Sequence, residues 1–535
     1  MSLVPRSFAV RGVVEGFYGT PWAHGARRSV ITFLAGHGMN AYVYAPKDDA
    51  KHRAEWRAPY HDRELAEFAQ LALHSDAHGV RFGFAISPGL DIDYESDADR
   101  RVLLGKLDPL RAAGVTWFCL LLDDIPMQPG LAPRQAALAT WLTGALADAR
   151  LTVCPTEYVG THPSRYLSEL GAGLPPDVDI MWTGPTVCSP ELRAGDARGW
   201  TNALGGRRVL VWDNFPVNDA LMTASLHLGP YTARDPELCE VVGGILCNPM
   251  TQAHASQIPL ATAMDFLRDP DAYDPAASWA RAIAAVGGAR AEPLAVLARA
   301  CADSPIAEPD TLDLARRVDA LGDELDGPGW IGAVADLKAE LTAARDLPDA
   351  FPGEGAALDA EVAPWARAAR TEAEAGLAAL RLIQASRPVA VVDTDGGGRA
   401  APPDPESAMQ TAFVLLFLWK GARADENVVY GPRFAIYTPV VQMADGAPAL
   451  DAAAAVRENA NAIDALCRLA LSTYDTWRTT AADASLRVLV DGEERAVSAG
   501  GTFDGRGAMT LLRLGSLCTR VARGEELPFS DRRFA

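Results

Sequence analysis

Eight apolar runs, spaced about one βα unit apart, constrain the fold of the first half of this chain more than any other feature. Each run is rich in β-branched or aromatic residues, ends in a polar or Gly/Pro cluster, and precedes a helix-like segment. The runs cover residues 9–19, 39–46, 80–89, 115–124, 150–158, 178–185, 207–214 and 241–248. A βα unit takes about 30 residues and a closed eight-stranded barrel takes about 250. We therefore predict an α/β chain whose residues 1–268 form a catalytic (β/α)8 TIM barrel.

An open, doubly wound parallel sheet is the alternative for this alternation of strands and helices. Such sheets commonly carry a glycine-rich first turn with the pattern G-x-G-x-x-G. The first turn here, EGFYGTPW (15–22), lacks that pattern. The barrel is therefore favoured over the open sheet.

The second half of the chain has helical rather than strand periodicity. Apolar residues recur at helical spacing in the stripe Leu314, Val318, Leu321 and Leu325. We predict an α-helical bundle over residues 269–390, in which Pro364 lies in the first turn of a helix. Residues 391–535 are predicted to form a small mixed region, helical with a hairpin at 486–497 around an Asp-Gly turn.

Charge and hydropathy exclude two classes of partner. The formal net charge of −20 repels phosphate backbones and anionic lipids, so neither nucleic acid nor a membrane is expected as a partner. The longest apolar run, residues 412–419, is far shorter than the ~20 residues that span a bilayer.

Cysteine and histidine usage indicates a reduced compartment and no metal site. The eight Cys include no C-x-x-C pair, and several lie inside apolar runs, as small buried residues do. The first residues show no signal peptide, so a cytoplasmic location is predicted. None of the nine His falls in a metal-binding spacing, and neither a metal nor a cofactor is expected.

Polar and aromatic residues stand at the ends of the eight runs, where a barrel of this kind carries its active site. They are Glu15, Tyr18, Lys47, Asp48, Asp49, Asp123, Asp124, Glu157, Tyr158, Trp182, Thr183, Trp212, Asp213, Asn214 and Asn248. The aromatic faces suit the apolar face of a sugar ring, and the amides and carboxylates suit hydroxyl groups. Since the set contains no basic cluster, it fits a neutral carbohydrate better than a phosphorylated substrate.

Asp123 and Asp124 are the most informative pair in this set. Strand residues alternate between faces, so neighbouring carboxylates share one site only where the strand ends and the backbone turns. Two close carboxylates resist ionising together, and burial raises the pKa of one of them further. A protonated acid beside an ionised partner is what cleavage of a glycosidic bond requires. The alternative is that the pair belongs to a loop capping the next helix.

Nine segments of the first half resemble glycoside hydrolase family 84 in sequence, order and spacing. They are EGFYGTPW (15–22), NAYVYAPKDDAKHRAEWR (40–57), AISPGLDI (85–92), LLLDDI (120–125), CPTEYVGT (154–161), WTGP (182–185), VWDNFPVND (211–219), LGPY (228–231) and CNP (247–249). That family contains the β-N-acetylglucosaminidases known as O-GlcNAcases, and bacterial relatives sometimes labelled hyaluronidases. Beyond about residue 270 little resembles the animal enzymes, although bacterial members carry a helical domain after the barrel.

The resemblance implies a bacterial, retaining exo-β-N-acetylglucosaminidase that works by substrate-assisted catalysis. In that mechanism the 2-acetamido oxygen attacks the anomeric carbon and forms an oxazoline. Asp123 would orient and polarise the acetamide N–H, and Asp124 would protonate the leaving oxygen and then activate water. By the same resemblance, sugar hydroxyls are contacted by Gly16, Lys47, Asp219 and Asn248, and the acetamide or the intermediate by Tyr158, Trp212 and Asn214.

The implied substrate is terminal β-linked GlcNAc, carried by Ser or Thr of a protein or by a small glycoside. Three alternatives stay open: a hyaluronidase-like endo-β-N-acetylglucosaminidase, a GlcNAc-binding protein without activity, and a scaffold whose helical half binds partners. The sequence also leaves the natural aglycone open. The oligomeric state is open too, because apolar helix faces serve equally well as bundle core and as the interface of a homodimer.

Overall fold

The computed structural model describes most of the chain. The described residues are 6–146, 148–302, 304, 313–325, 329–387, 389–392, 398–401, 405–422, 428, 430, 434–444, 447–480, 485–490, 493–498 and 509–511. They fall into two compact units, Met1–Thr311 and Leu312–Ala535.

Eight parallel strands close into a barrel in the first unit, in the order of the sequence, so that the first strand pairs with both the second and the last. The strands are β1 Val10–Glu15, β2 Ala41–Tyr44, β3 Arg81–Ile86, β4 Trp117–Leu121, β5 Arg150–Cys154, β6 Asp179–Trp182, β7 Val209–Asp213 and β8 Gly244–Cys247. Each predicted run contains one of these strands. The predicted α/β class and (β/α)8 architecture are therefore confirmed.

A helix follows each strand of the barrel. These helices are α1 His24–Gly36, α2 Asp62–Ala77, α3 Asp97–Ala112, α4 Leu131–Ala145, α5 Arg165–Gly173, α6 Ala194–Ala203, α7 Leu238–Val241 and α8 Ala253–Arg268. Side-chain caps fix several helix starts, as where the Ser96 hydroxyl accepts from the Asp99 N–H at 3.3 Å. The long loops that carry polar residues all lie between a strand and the next helix, at the carboxyl end of the barrel.

Two further helices, α9 Pro275–Gly287 and α10 Ala291–Ala300, complete the first unit. They are held to the barrel by polar contacts as well as by packing. The Ser278 hydroxyl donates to Asp265 at 2.7 Å, and the Trp279 indole N–H donates to the Leu228 carbonyl at 2.7 Å. The predicted domain boundaries at residues 268 and 390 stay predictions.

The barrel interior is filled by apolar side chains, as expected for parallel strands buried on both faces. Trp117 is the largest fully buried residue there, and its indole N–H donates to the Thr152 hydroxyl at 2.9 Å. Its neighbours in this core are Val14, Ala41, Val43, Ala45, Ala85, Cys119, Leu121, Cys154, Met181, Leu210, Trp212 and Leu246.

Two buried ion pairs fix the carboxyl ends of β1 and β7. The wholly buried Glu15 accepts from Arg27 at 2.7 and 2.9 Å, and the wholly buried Asp213 accepts from Arg234 at 2.7 and 2.9 Å. A bidentate guanidinium matches the geometry of a carboxylate and satisfies both of its oxygens. The two pairs are part of the framework of the barrel.

The second unit contains helices and antiparallel strands. They are α11 Asp313–Glu324, α12 Trp330–Arg345, α13 Leu347–Ala350, α14 Ala357–Ala385, β9 Val389–Val392, β10 Gly398–Ala401, α15 Pro405–Ala422, β11 Phe434–Ala444, β12 Ala447–Ala460, α16 Ala462–Thr480, β13 Ser485–Val490, β14 Glu493–Ser498 and β15 Met509–Leu511. The predicted stripe is buried at Val318 and Leu321 of α11 and at Leu325, which directly follows this helix. A helical region therefore follows the barrel, as predicted.

Two features of the second unit differ from the sequence prediction. Pro364 lies inside α14, whose first residue is Ala357, and not in the first turn of a helix. Val362, Trp365 and Ala366 are buried around it, so tertiary packing offsets the backbone hydrogen bond that proline removes. In addition, β9 to β12 and β15 lie where no strand was predicted: β9 pairs with β10, β11 with β12, and β15 with β13.

The predicted hairpin at 486–497 corresponds to β13 and β14, which pair antiparallel, while its Asp-Gly turn at 491–492 lies outside the described residues. Among the described residues, seven cysteines are present and none of them is joined to another in a disulfide. No helix among the described residues is both long enough and apolar enough to cross a membrane.

Replacing Arg234 by Met should lower the free energy of unfolding by about 3–5 kcal/mol, because it leaves the buried Asp213 carboxylate without its charged partner. Urea denaturation of the full chain measures this loss. Arg165→Met is the matched control, since the Arg165 side chain is 91% exposed and pairs with Glu169 at the surface. A loss for Arg234→Met as small as that of the control, under about 1 kcal/mol, would contradict a structural role for the pair.

Candidate active site

The nine predicted site residues all lie at the carboxyl end of the barrel. Trp212 is within β7, and the others follow the ends of strands: Gly16, Lys47, Asp123, Asp124, Tyr158, Asn214, Asp219 and Asn248. Hydrogen bonds and a cation–π contact join them into two clusters, which meet at the neighbouring residues Asp123 and Asp124. One cluster holds Gly16, Lys47, Asp123, Trp212, Asn214 and Asn248, and in the other Tyr18 links Asp124, with Tyr158, to Asp219. The structure therefore places all nine in one site.

Asp123, at the end of β4, is bound by Lys47 from the loop after β2. Both side chains are buried, and the Lys47 ammonium donates to Asp123 Oδ2. The same ammonium lies 5.4 Å from the centre of the Trp212 ring, within cation–π range. The other oxygen, Asp123 Oδ1, is buried and has no hydrogen-bond partner among the described residues. This oxygen is free to accept a hydrogen bond from a ligand.

Asp124 has a different environment although it is the next residue. The Tyr18 hydroxyl donates to its Oδ2 and the Tyr158 hydroxyl to its Oδ1, both at 2.7 Å. Its φ of +51° is in the left-handed region, which turns the backbone sharply after β4. The Arg53 guanidinium donates to the Asp124 carbonyl at 3.4 Å. This turn brings two neighbouring carboxylates into one site with different partners.

The pKa of Asp124 lies below its usual value. Burial alone would have raised this pKa. Burial raises this pKa, but hydrogen bonds from Tyr158 and Tyr18 and the positive charges of Lys47 and Arg53 lower it by more. The carboxyl of Asp124 is therefore ionised in the unliganded protein. In turn, burial and the bonds to Asp124 raise the pKa of both tyrosines, which keeps their hydroxyls protonated as donors.

A second network surrounds Trp212. Its indole N–H donates to Asn214 Oδ1 at 3.0 Å, and the Asn248 amide donates to the same oxygen at 2.9 Å. Asn248 Oδ1 accepts from the Gly16 N–H at 3.1 Å. A Cβ at Gly16 would lie 2.2 Å from the Trp212 ring, so only glycine allows this approach. The network holds the Trp212 ring in a fixed position, with the amide groups of Asn214 and Asn248 beside it.

Asp219 lies in the loop after β7, directly before a short helical turn at Ala220–Met222. Its Oδ2 accepts from the Tyr18 backbone N–H at 2.8 Å. Burial raises the pKa of Asp219, and the charges of Asp124 and Asp48 raise it further. A half-buried carboxylate at the rim of a pocket suits hydrogen bonds from ligand hydroxyls.

Several strand-end residues from the initial candidate set belong to the framework. Glu15 and Asp213 each accept hydrogen bonds from a buried arginine. Asp49 accepts from the Tyr44 and Tyr60 hydroxyls at 2.8 and 2.6 Å. Trp182, expected to line the mouth, is fully buried and donates to the Gly160 carbonyl at 3.0 Å. These residues also stand at strand ends, but their polar groups are already hydrogen-bonded to residues from other parts of the barrel. This distinguishes them from the residues of the site.

Two residues of the site were missed or misjudged from the sequence. Tyr18 was expected to offer its ring to a sugar, whereas its hydroxyl holds Asp124. Arg53 stands in a loop of alternating charges that predicts a solvated surface, yet it is buried beside Tyr18, with its Cζ 5.8 Å from that ring. Nothing in a single sequence distinguishes a buried arginine in such a loop from an exposed one.

No group of three or more His, Cys, Asp or Glu side chains among the described residues could hold a metal ion. The polar groups of the site include three aspartates with distinct surroundings, one ammonium, two tyrosine hydroxyls and two amides. This set can bind a polyhydroxylated ligand and move protons at its edge.

A family model described as NAGidase, beta-N-acetylglucosaminidase, matches residues 11–299. Protein O-GlcNAcase of Rattus norvegicus is 34% identical over 267 residues, which cover 47% of this chain and 29% of the rat protein. The Mus musculus protein of the same name gives the same figures. The chain thus matches less than a third of the length of these curated relatives.

Solved structures extend the similarity beyond the barrel. The O-GlcNAc hydrolase of Thermobaculum terrenum, solved as an Asp-to-Asn mutant, is 29% identical with a TM-score of 0.70, over 79% of this chain and 92% of that one. CpGH84B is also 29% identical with a TM-score of 0.70, over 80% of this chain and 75% of that one. Because the family model covers more than half of the 535 residues, the chain belongs to the beta-N-acetylglucosaminidase family NAGidase, and the resemblance to glycoside hydrolase family 84 is confirmed.

Proposed function

We propose that this chain is a retaining exo-β-N-acetylglucosaminidase that uses the acetamido group of its substrate as the nucleophile. The observation that carries this proposal is the contrast between its two neighbouring carboxylates. Asp123 keeps one buried oxygen unpartnered beside Lys47, and Asp124 has both oxygens bound by tyrosine hydroxyls. Asp123 can therefore accept a hydrogen bond from an amide N–H, and Asp124 can exchange a proton.

Asp123 would accept a hydrogen bond from the acetamide N–H of GlcNAc through its unpartnered Oδ1. This bond orients the acetamide oxygen towards the anomeric carbon and makes it more nucleophilic. As the oxazoline forms, positive charge develops on the acetamide, and the nearby carboxylate stabilises it. Lys47 holds the opposite oxygen of Asp123, so the carboxylate cannot turn away.

Asp124 would protonate the leaving oxygen and then remove a proton from the water that opens the oxazoline. The unliganded protein favours the ionised form, which is the base of the second step. A bound sugar adds to the burial that raises the pKa of Asp124, and so favours the protonated form needed in the first step. Tyr18 and Tyr158 hold the carboxyl in place during both steps.

The remaining residues would bind the sugar. Trp212 provides an aromatic wall held by Asn214 and Asn248, and Asp219 faces the mouth, where it can accept from outer hydroxyls. Terminal β-linked GlcNAc on protein Ser or Thr, or on small glycosides, is the proposed substrate, as the names of the similar O-GlcNAcases and O-GlcNAc hydrolase suggest. The presence of both aspartates argues against a binding protein without activity. A bacterial origin and a cytoplasmic location stay predictions.

Asp124→Asn should reduce the hydrolysis of a β-N-acetylglucosaminide by about 10²–10⁴-fold, the usual worth of general acid–base catalysis. The loss should be smaller for an aryl glycoside than for an alkyl glycoside, because an aryl leaving group needs less protonation. Steady-state kinetics on both substrates measure this. Asp97→Asn, on the exposed first turn of α3, is the isosteric control and should match the wild type. Equal activity of Asp124→Asn and the control would contradict the assigned role.

Substrates whose acetamido methyl carries one, two or three fluorines test the nucleophile. Fluorine withdraws electrons from the acetamide oxygen, so kcat should fall steeply with each fluorine added. A rate that does not change across the series would show that an enzyme group, not the acetamide, attacks the anomeric carbon. That result would contradict substrate assistance while leaving glycosidase activity in place.

Tyr158→Phe should move the basic limb of the pH profile of kcat/KM for an alkyl glycoside to higher pH. The hydroxyl lowers the pKa of Asp124, so its removal raises this pKa and keeps Asp124 protonated to higher pH. Tyr273→Phe is the matched control, since its hydroxyl donates to the Tyr231 carbonyl at 2.8 Å, away from Asp124. A limb that moves to lower pH, or moves equally in both variants, would contradict the hydrogen bond's role.

A further inference from the structure

Two histidines lie side by side at the end of α2, close to the start of β3 at Arg81 and therefore at the amino end of the barrel. His74 is in the last turn of α2, and His78 is the C-cap residue directly after it. Their ring centroids are 4.4 Å apart. Side chains four residues apart on a helix project from the same face. This is the spacing of the two histidines in H-E-x-x-H, although Ser75 stands where that motif has glutamate.

The Nε2 atoms of the two rings converge on one atom of the neighbouring helix α1. Thr32 Oγ1 lies 3.0 Å from His74 Nε2 and 3.3 Å from His78 Nε2. Both rings are therefore turned so that their Nε2 atoms face the same small volume between α1 and α2. Thr32 and His78 are exposed and His74 is partly exposed, so ions from solvent can reach this volume.

Backbone carbonyls determine which ring nitrogens carry protons when both rings are neutral. His78 Nδ1 is 2.8 Å from the His74 carbonyl, which can only accept, so Nδ1 carries the proton and Nε2 presents its lone pair to Thr32. A metal-ligating histidine commonly donates its other N–H to a backbone carbonyl in this way. His74 Nε2 is 3.1 Å from the Arg28 carbonyl and so carries its proton. Transfer of this proton to Nδ1 through solvent frees the second lone pair with no net loss of a proton.

The ligand set selects a class of ion. Neutral imidazole suits Zn²⁺, Ni²⁺ and Cu²⁺, whereas Ca²⁺ and Mg²⁺ need several oxygen ligands. Burial lowers the pKa of His74, and the charges of His78 and Arg28 lower it further, although its bond to the Arg28 carbonyl raises it. His74 is therefore neutral at neutral pH, as a ligand must be. In the part of the chain that the structure describes, no third His, Cys, Asp or Glu completes a group here, so water fills the remaining positions.

We propose that His74 and His78 form a binding site for a divalent transition-metal ion, which is coordinated by Nε2 of each ring. The ion takes the place of the Thr32 hydroxyl as the partner of both nitrogens. The site is independent of the proposed glycosidase function, because it lies at the opposite end of the barrel from Asp123 and Asp124. It also departs from the absence of a metal site that was expected from the sequence, where complete motifs were required.

Titration calorimetry with Zn²⁺ on the full chain, produced without a polyhistidine tag, tests the site. The wild type should bind Zn²⁺ saturably. His74→Gln and His78→Gln should each weaken this binding by at least about tenfold, since loss of a group that merely orients a ligand already costs about 10–100-fold. The melting temperature should rise with Zn²⁺ in the wild type but not in the double variant His74→Gln/His78→Gln, because the ion binds the folded helix.

Cu²⁺ provides a second readout of the same pair. The electron paramagnetic resonance spectrum of the wild type with one equivalent of Cu²⁺ should show coupling to two imidazole nitrogens. Each single variant should lack this two-nitrogen signature. A single exposed imidazole elsewhere on the surface cannot produce it.

His162→Gln is the matched control. His162 is an exposed histidine in the loop after β5, and its Nδ1 is 2.9 Å from the Thr161 hydroxyl. The residues four positions away on either side are Tyr158 and Tyr166, so His162 has no partner at this spacing. This variant should keep the Zn²⁺ affinity and the Cu²⁺ spectrum of the wild type.

The outcomes separate this inference from the proposed function. Absence of Zn²⁺ binding, or equal affinity in the wild type and both single variants, would overturn the assignment to this pair. Weaker binding in only one of the two variants would overturn coordination by two imidazoles. Hydrolysis of an aryl N-acetylglucosaminide is measured in parallel, and its failure would overturn the proposed function while leaving the metal site in place.

Discussion

Lys47 and Asp123 form a buried ion pair between the β2 and β4 ends of the barrel, and the candidate site is arranged around it. Removing either partner leaves a buried charge uncompensated, a loss of about 3–5 kcal/mol in such pairs. The pair holds the Asp123 carboxylate in place with its other oxygen left unpartnered by the described residues. It also places a positive charge beside the Trp212 ring, and this charge contributes to lowering the pKa of Asp124.

Carboxylates at equivalent strand ends differ in function because of their partners. Glu15 and Asp213 each receive a bidentate arginine and are closed to ligands. Asp123 receives a single ammonium and keeps one oxygen available, and Asp124 receives two neutral hydroxyls. A neutral donor steadies a carboxyl without fixing its charge as firmly as a guanidinium does, which suits a group that must gain and lose a proton.

Much of the fold follows from patterns along the chain. The eight apolar runs contain the eight strands because parallel barrel strands are buried on both faces and so are continuously apolar. The stripe at Val318 and Leu321 likewise marks the buried face of α11. Pro364 and the strand β12 (Ala447–Ala460) did not follow local rules. Packing along α14 offsets a proline, and the Ala-rich β12 is a strand through its pairing with β11, which local propensity does not show.

The sequence by itself determined the barrel, the Asp123–Asp124 pair and the family, because these depend on order, spacing and residue type. Only the tertiary structure decided which strand-end acids are free, where the Tyr18 hydroxyl and Arg53 point, and that the pKa of Asp124 is lowered. The physical reason is that a side chain's charge state and availability depend on the partners that other strands bring to it. Those partners are distant in sequence and meet only when the barrel closes.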